Sequence, residues 1–275
     1  MSKNEKEITA ATAEQKSLGP PKSTAREYLE SFVVTLVMAL FGMTFVLQAV
    51  TVPTGSMQNT ILVGDYLLVN KFIFAPGGKP LPFMPQREIE RGDIIVFKFP
   101  GFPKELNKSK QDKDAAGVPY QTNFVKRVIG LPGDKVEVRG NDVYVNDKIL
   151  SEHKVIGDSD IEEAALKTKE IAPRQPDQKY DVYYAEDAIK GLIKERDYAF
   201  AGQGKPYTVP EGSYFVMGDS RNRSLDSRYW GPVSRDLIVG RAMFVYWSCD
   251  RGASSGSILG CLTHPRLNRI GTLIK

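Results

Sequence analysis

A serine side chain becomes a nucleophile only beside a base, and this 275-residue chain has just two histidines, His153 and His264. A Ser-His-Asp triad is poorly supplied, which turns attention to lysine. Three segments carry suitable groups. In Val52-Pro53-Thr54-Gly55-Ser56-Met57, Gly55 permits close backbone approach and leaves the Ser56 N–H and the Thr54 hydroxyl as donors to a developing oxyanion. In Asn123-Phe124-Val125-Lys126-Arg127-Val128-Ile129, Lys126 shares a strand face with Phe124 and Val128, the apolar setting a lysine needs to lose its proton. Arg127 faces the other way and stays charged. In the run from Gly218 to Arg228, an extended backbone projects Ser224, Asp226 and Arg228 to one side. Ser224 can then orient the lysine amine while an Asp226–Arg228 pair braces the site. Taken singly, each segment has an ordinary alternative: a turn, two solvated edge charges, a loop with surface ion pairs.

The elements that would position these groups begin with an apolar run. Between Phe32 and Val50 the only polar side chains are Thr35, Thr44 and Gln48. As a helix this run reaches roughly 28 Å, about the thickness of a bilayer's hydrocarbon core, and we read residues 32–50 as a single transmembrane helix. Lys16, Lys22 and Arg26 precede it, whereas the first basic residue after Val50 is Lys71. The positive-inside bias places residues 1–31 as a cytoplasmic tail and 51–275 outside. Ser56 then lies six residues beyond the helix, within about 20 Å of its end.

Beyond Thr51, short Val-, Ile-, Phe- and Tyr-rich runs alternate with turn signals such as Gly64-Asp65, Pro132-Gly133-Asp134 and Gly140-Asn141-Asp142. The runs are Tyr66–Val69, Ile94–Phe99, Phe124–Ile129, Lys135–Val138, Val143–Val145, Tyr214–Met217 and Leu237–Trp247. They predict a mainly β, antiparallel, barrel-like catalytic domain. A charged stretch over about 151–212, with a helix-like piece at Ile161–Lys169, is expected to form a smaller inserted satellite subdomain.

Net charge is only +4, from 37 Lys plus Arg against 33 Asp plus Glu. No basic stripe with interleaved aromatics exists, so nucleic acid is not an expected partner. Cys249 and Cys261 either pair across a Gly/Ser-rich loop or remain thiols. Together with the two histidines they match no common zinc-ligand spacing, and no metal is expected.

The three segments, in this order after an N-terminal apolar helix, resemble the bacterial type I signal peptidases, a family of serine/lysine peptidases. Further matches are Gly64-Asp65-Tyr66-Leu67-Leu68-Val69-Asn70-Lys71-Phe72, Arg91-Gly92-Asp93-Ile94-Ile95-Val96-Phe97 and Lys126-Arg127-Val128-Ile129-Gly130-Leu131-Pro132-Gly133-Asp134. The resemblance implies Ser56 as acylating nucleophile, Lys126 as general base and Ser224 as its positioner. It implies Thr54 and the Ser56 N–H as oxyanion donors and Asp226 with Arg228 as a brace. It further implies no cofactor or metal, secretory preproteins with small residues at −3 and −1 as substrates, and a place in the bacterial cytoplasmic (inner) membrane, in contact with phospholipid. The chain departs from the family's pattern at Asn59, often Pro, and at Ser220, Asn222 and Arg223, where Asn, Asp and Asn are commoner. These departures bear on local turn geometry and on the electrostatics beside the cleft.

Overall fold

The computed structural model describes residues 23–75, 85–104, 106, 117–157, 165, 167–190, 198–252 and 258–275. The chain forms two units, divided between Phe45 and Val46. The first is a helix, Thr24–Phe41, continued by a π-helical turn over Gly42–Val46. The Ser23 side chain caps it by accepting from the Arg26 N–H, Glu27 sits in its first turn, and Arg26 pairs with Glu30 one turn on. None of its residues is buried, and it is long and apolar enough to cross a membrane.

The helical stretch is therefore Thr24–Val46 rather than 32–50. Leu47–Val50 leave it because they pair, residue by residue, with the strand Asp65–Asn70, and Val50 enters a core with Val52, Leu67 and Val69. An apolar run reads alike as a helix or as a buried strand, so composition alone did not mark this boundary.

The second unit holds fourteen strands among its described residues: β1 (Leu47–Thr51), β2 (Asp65–Asn70), β3 (Ile94–Lys98), β4 (Asn123–Gly130), β5 (Lys135–Arg139), β6 (Asp142–Val145), β7 (Lys148–Ile149), β8 (His153–Gly157), β9 (Thr168–Glu170), β10 (Asp181–Ala185), β11 (Tyr207–Thr208), β12 (Ser213–Met217), β13 (Val233–Ser234) and β14 (Ile238–Ser248). Seven make one antiparallel half-barrel sheet in the order β1-β2-β14-β3-β4-β12-β13. Strand β3 shows why these sequences are continuously apolar. Ile94 and Val96 pack into a core with Met57, Ile61 and Val245, while Ile95 and Phe97 enter another with Val128, Val216 and Trp230. Alternate side chains point to opposite faces, and both faces are buried.

The inserted stretch contributes to two smaller sheets. β11 joins β5, β6 and β7 in a four-stranded sheet, while β8 lies between β9 and parallel β10 in a three-stranded one. Its roots are pinned to the chain after β12: the Tyr183 N–H donates to the Asp219 carbonyl at 2.8 Å, and the Ala185 N–H donates to Asn222 Oδ1 at 3.2 Å. Of the helix-like piece at Ile161–Lys169, residues 161–164 and 166 lie outside the described set, and Thr168 onward is strand β9, paired with β8. Cys249 and Cys261 are joined in a disulfide with Cα atoms 5.1 Å apart.

Candidate active site

Ser56 occupies a short 3₁₀ turn, Gly55–Met57, that is buried throughout. Val52, Met57 and Ile61 on either side are in the core, so the turn cannot move without opening that core. The Ser56 carbonyl is held from behind by the Ser220 N–H at 3.1 Å. Across from it, Lys126 lies in the middle of β4, in register with Ile95 of β3. Its Nζ is 2.6 Å from Ser56 Oγ and donates to the Val125 carbonyl at 3.1 Å. The Phe124 ring covers it at 5.2 Å.

Burial pulls the Lys126 amine from 10.5 down to about 8, against the opposing fields of Asp226 and Asp219 and with help from Arg228. A substantial fraction of the amine is then neutral near pH 8, as a general base requires. Arg127, one residue along and on the other face, is equally buried yet stays charged. Its Nε and Nη2 bind Asp219 at 2.8 and 2.7 Å, Nη1 reaches the Gly92 carbonyl at 2.8 Å, and the guanidinium stacks on Tyr180. Burial works against its charge, and Asp219 more than offsets this.

The third segment is not extended as expected. Asp226 is the N-cap of a helical turn, Ser227–Trp230, and Arg228 folds back on it through Nε and Nη2, each at 2.8 Å. Burial favours the neutral acid, but Arg228 holds the Asp226 carboxyl below its ordinary value. Asp226 Oδ2 also accepts from the Gly218 N–H at 3.0 Å, and Arg228 Nη2 donates to the Arg221 carbonyl at 2.7 Å. The pair thus fixes the backbone that passes behind Ser56. Ser224 Oγ is buried beside this pair and helps to lower the Asp226 carboxyl, and the amine's contacts go to Ser56 and Val125. Thr54 precedes the Ser56 turn with its hydroxyl unused in capping.

Three participants escaped the sequence reading. A Cβ on Gly218 would fall inside van der Waals contact with both Ser224 Oγ and the Ser56 carbonyl, so only glycine lets these segments meet. Asp219 accepts from Thr60 Oγ1 at 2.6 Å as well as from Arg127, tying the chain after Ser56 to β4. Glu152, from the insertion, forms a buried double contact with Arg221, whose Nε reaches the Gly218 carbonyl at 3.2 Å. The Gly218-Asp219 pair at the head of the third segment signalled a tight approach. Nothing in sequence marked Glu152.

Ser56 and Lys126 open onto a cleft of about 430 Å³. One wall is Val50–Met57 and the other Thr122–Lys126, with Leu225 and Arg223 at its end. A buried serine hydroxyl in contact with an amine of lowered pKa, beside unused donors, is equipped for acyl transfer.

Comparison with known proteins gives the class. The family model described as signal peptidase, peptidase S26, matches residues 25–247. A probable signal peptidase I-2 of Synechocystis sp. is 31% identical, over 89% of this chain and 83% of its own. Signal peptidase I of Rickettsia typhi is 33% identical, over 82% and 81%, and that of Pseudomonas aeruginosa 33%, over 81% and 72%. A solved signal peptidase I of Enterococcus faecalis aligns with 56% of this chain and 97% of its own, at 28% identity and a TM-score of 0.30. The chain belongs to the signal peptidase family of hydrolases, peptidase S26.

Proposed function

We propose that this protein is a membrane-anchored endopeptidase that removes signal peptides from secreted preproteins through a Ser56/Lys126 acyl-enzyme. The observation that carries the reading is the 2.6 Å contact between Ser56 Oγ and a buried Lys126 amine. Neutral Lys126 takes the hydroxyl proton as Oγ attacks the scissile carbonyl carbon. The proton passes to the departing amine of the mature protein as the C–N bond breaks. Water, deprotonated by the same lysine, then attacks the ester; the acyl C–Oγ bond breaks as the lysine returns that proton to Ser56 Oγ, and the signal peptide leaves with a new terminal carboxyl group that ionises in water. The Ser56 N–H and the Thr54 hydroxyl stabilise the oxyanion. Asp226 and Arg228 brace the loop behind the nucleophile, and Ser224 turns its hydroxyl to the amine. The apolar cleft walls suit small side chains at −3 and −1.

The apolar helix anchors the chain by a single pass in the bacterial cytoplasmic membrane. Lys16, Lys22 and Arg26 hold residues 1–31 on the cytoplasmic side, with 51–275 outside. Anchoring replaces a three-dimensional search by encounter within the bilayer surface.

The test is cleavage of a preprotein with an Ala-x-Ala site by detergent-solubilised full-length protein. Wild type should cut after the second Ala, whereas Ser56→Ala and Lys126→Arg, both folded, should not. A guanidinium keeps the charge without the basicity. Substantial cleavage by either variant would remove the mechanism, and an inert wild type would remove the activity.

A further inference from the structure

Among the described cleft residues, Asn123 carries a solvent-shielded side-chain oxygen that no donor reaches. Asn123 opens β4, its backbone in register with Lys98, and it is among the residues that line the cleft, three before Lys126. Its Oδ1 is shielded from solvent and accepts no hydrogen bond. Its neighbour Thr122 lines the same wall but is committed, since its hydroxyl accepts from the Val118 N–H at 2.9 Å. A shielded carbonyl oxygen without a donor carries a standing desolvation cost, and such groups in folded proteins call for an explanation. Nothing among the described residues supplies one. Rotation about the terminal torsion of an asparagine is broad, so the oxygen can turn into the cleft at little cost.

We infer that Asn123 is a substrate-positioning residue whose Oδ1 accepts a backbone N–H of the preprotein bound in the cleft. The donor is assigned to the backbone because the oxygen needs a donor that every substrate brings. Side chains differ from one preprotein to the next, whereas every residue except proline presents an N–H. With Ser56 and Lys126 in the same cleft, that bond fixes how far along the groove the chain lies, and therefore which carbonyl meets Ser56 Oγ. Asn123 touches no reacting atom. It sets the register in which the reaction occurs.

The inference rests on the peptidase reading and is tested on full-length protein in detergent. A set of peptides spanning an Ala-x-Ala site is made, each methylated at one successive backbone amide, and kcat and KM are measured for wild type, Asn123→Ala, Asn123→Leu and Asn123→Asp. At a single amide, methylation should cost wild type about tenfold more in kcat/KM than it costs Asn123→Ala or Asn123→Leu, the equivalent of one neutral hydrogen bond. Asn123→Asp, which keeps an acceptor, should behave like wild type at that amide. At every other amide all four should respond alike, because steric costs of methylation cancel in the comparison. Equal penalties at every position, with intact cleavage of the unmethylated peptide, overturn the role of Asn123 and leave the peptidase reading standing. Failure of wild type to cut the unmethylated peptide removes both. Two acceptor-free variants of different bulk guard against loss of folding in one of them.

Discussion

Raising the pH from 7 to 9 should increase kcat/KM by about tenfold and then leave it level. With the Lys126 amine at about 8, roughly one molecule in eleven carries a neutral base at pH 7 and about ten in eleven at pH 9. A lysine with an ordinary pKa of 10.5 would gain about a hundredfold over that interval and still be climbing. The assay is the initial rate of cleavage of a preprotein peptide in detergent from pH 6 to 10.5 at fixed ionic strength. Stability provides a second, independent readout. Because the folded-state pKa is below the unfolded one, the unfolded chain binds more protons between about pH 8 and 10.5, and stability should rise with pH across that window. The shift from 10.5 to about 8 corresponds to about 3 kcal/mol. Lys126→Met should therefore be more stable than wild type by that order below pH 8, with the gap closing by pH 10.5, as read by urea unfolding. A hundredfold rise without a plateau, together with no stability gap at neutral pH, would refute the claim that burial prepares this lysine.

Gly218→Ala should lower kcat by about a hundredfold with KM little changed, since relieving the clash must displace the Ser56 turn by something near an ångström. Steady-state kinetics beside a melting curve check it, and near-normal turnover would contradict the packing described. Reducing the Cys249–Cys261 bond, or replacing both residues by Ser, should cost about 3 kcal/mol, the chain-entropy value for a loop of this length. Urea midpoints with and without reductant measure it. Glu152→Ala should destabilise the fold by about 3–5 kcal/mol, because it strands the buried Arg221 charge. A loss below 1 kcal/mol on denaturant titration would mean that water already neutralises that site.

Much of the β scaffold was legible because its strands are rich in Val, Ile, Phe and Tyr between turn signals, and β3, buried on both faces, reads as a continuous apolar run. β1 was not, because Leu47–Val50 continues the apolar helix without a compositional break. β8 and β10 were missed because they are short and set in a charged stretch. At the site, Ser56, Lys126, Asp226 and Arg228 announced themselves as residue types that chemistry needs at close quarters. The contacts between segments did not. Thr60 meets Asp219 across 159 positions and Glu152 meets Arg221 across 69, separations at which no local pattern survives. The bend that makes Asp226 a helix cap was hidden for a related reason: an Asp before a four-residue helical turn looks like any Asp in a loop.

The Glu152–Arg221 pair also limits how this protein can be recombined with its relatives. A cassette cut at residues 151 and 212 would remove the carboxylate and leave the guanidinium behind, buried and unpaired. Any exchange that keeps the fold must carry both partners or neither, and it must preserve the backbone bond from Tyr183 to Asp219. The insertion is thus inherited with the nucleophile's loop as one unit, although in sequence it looks detachable.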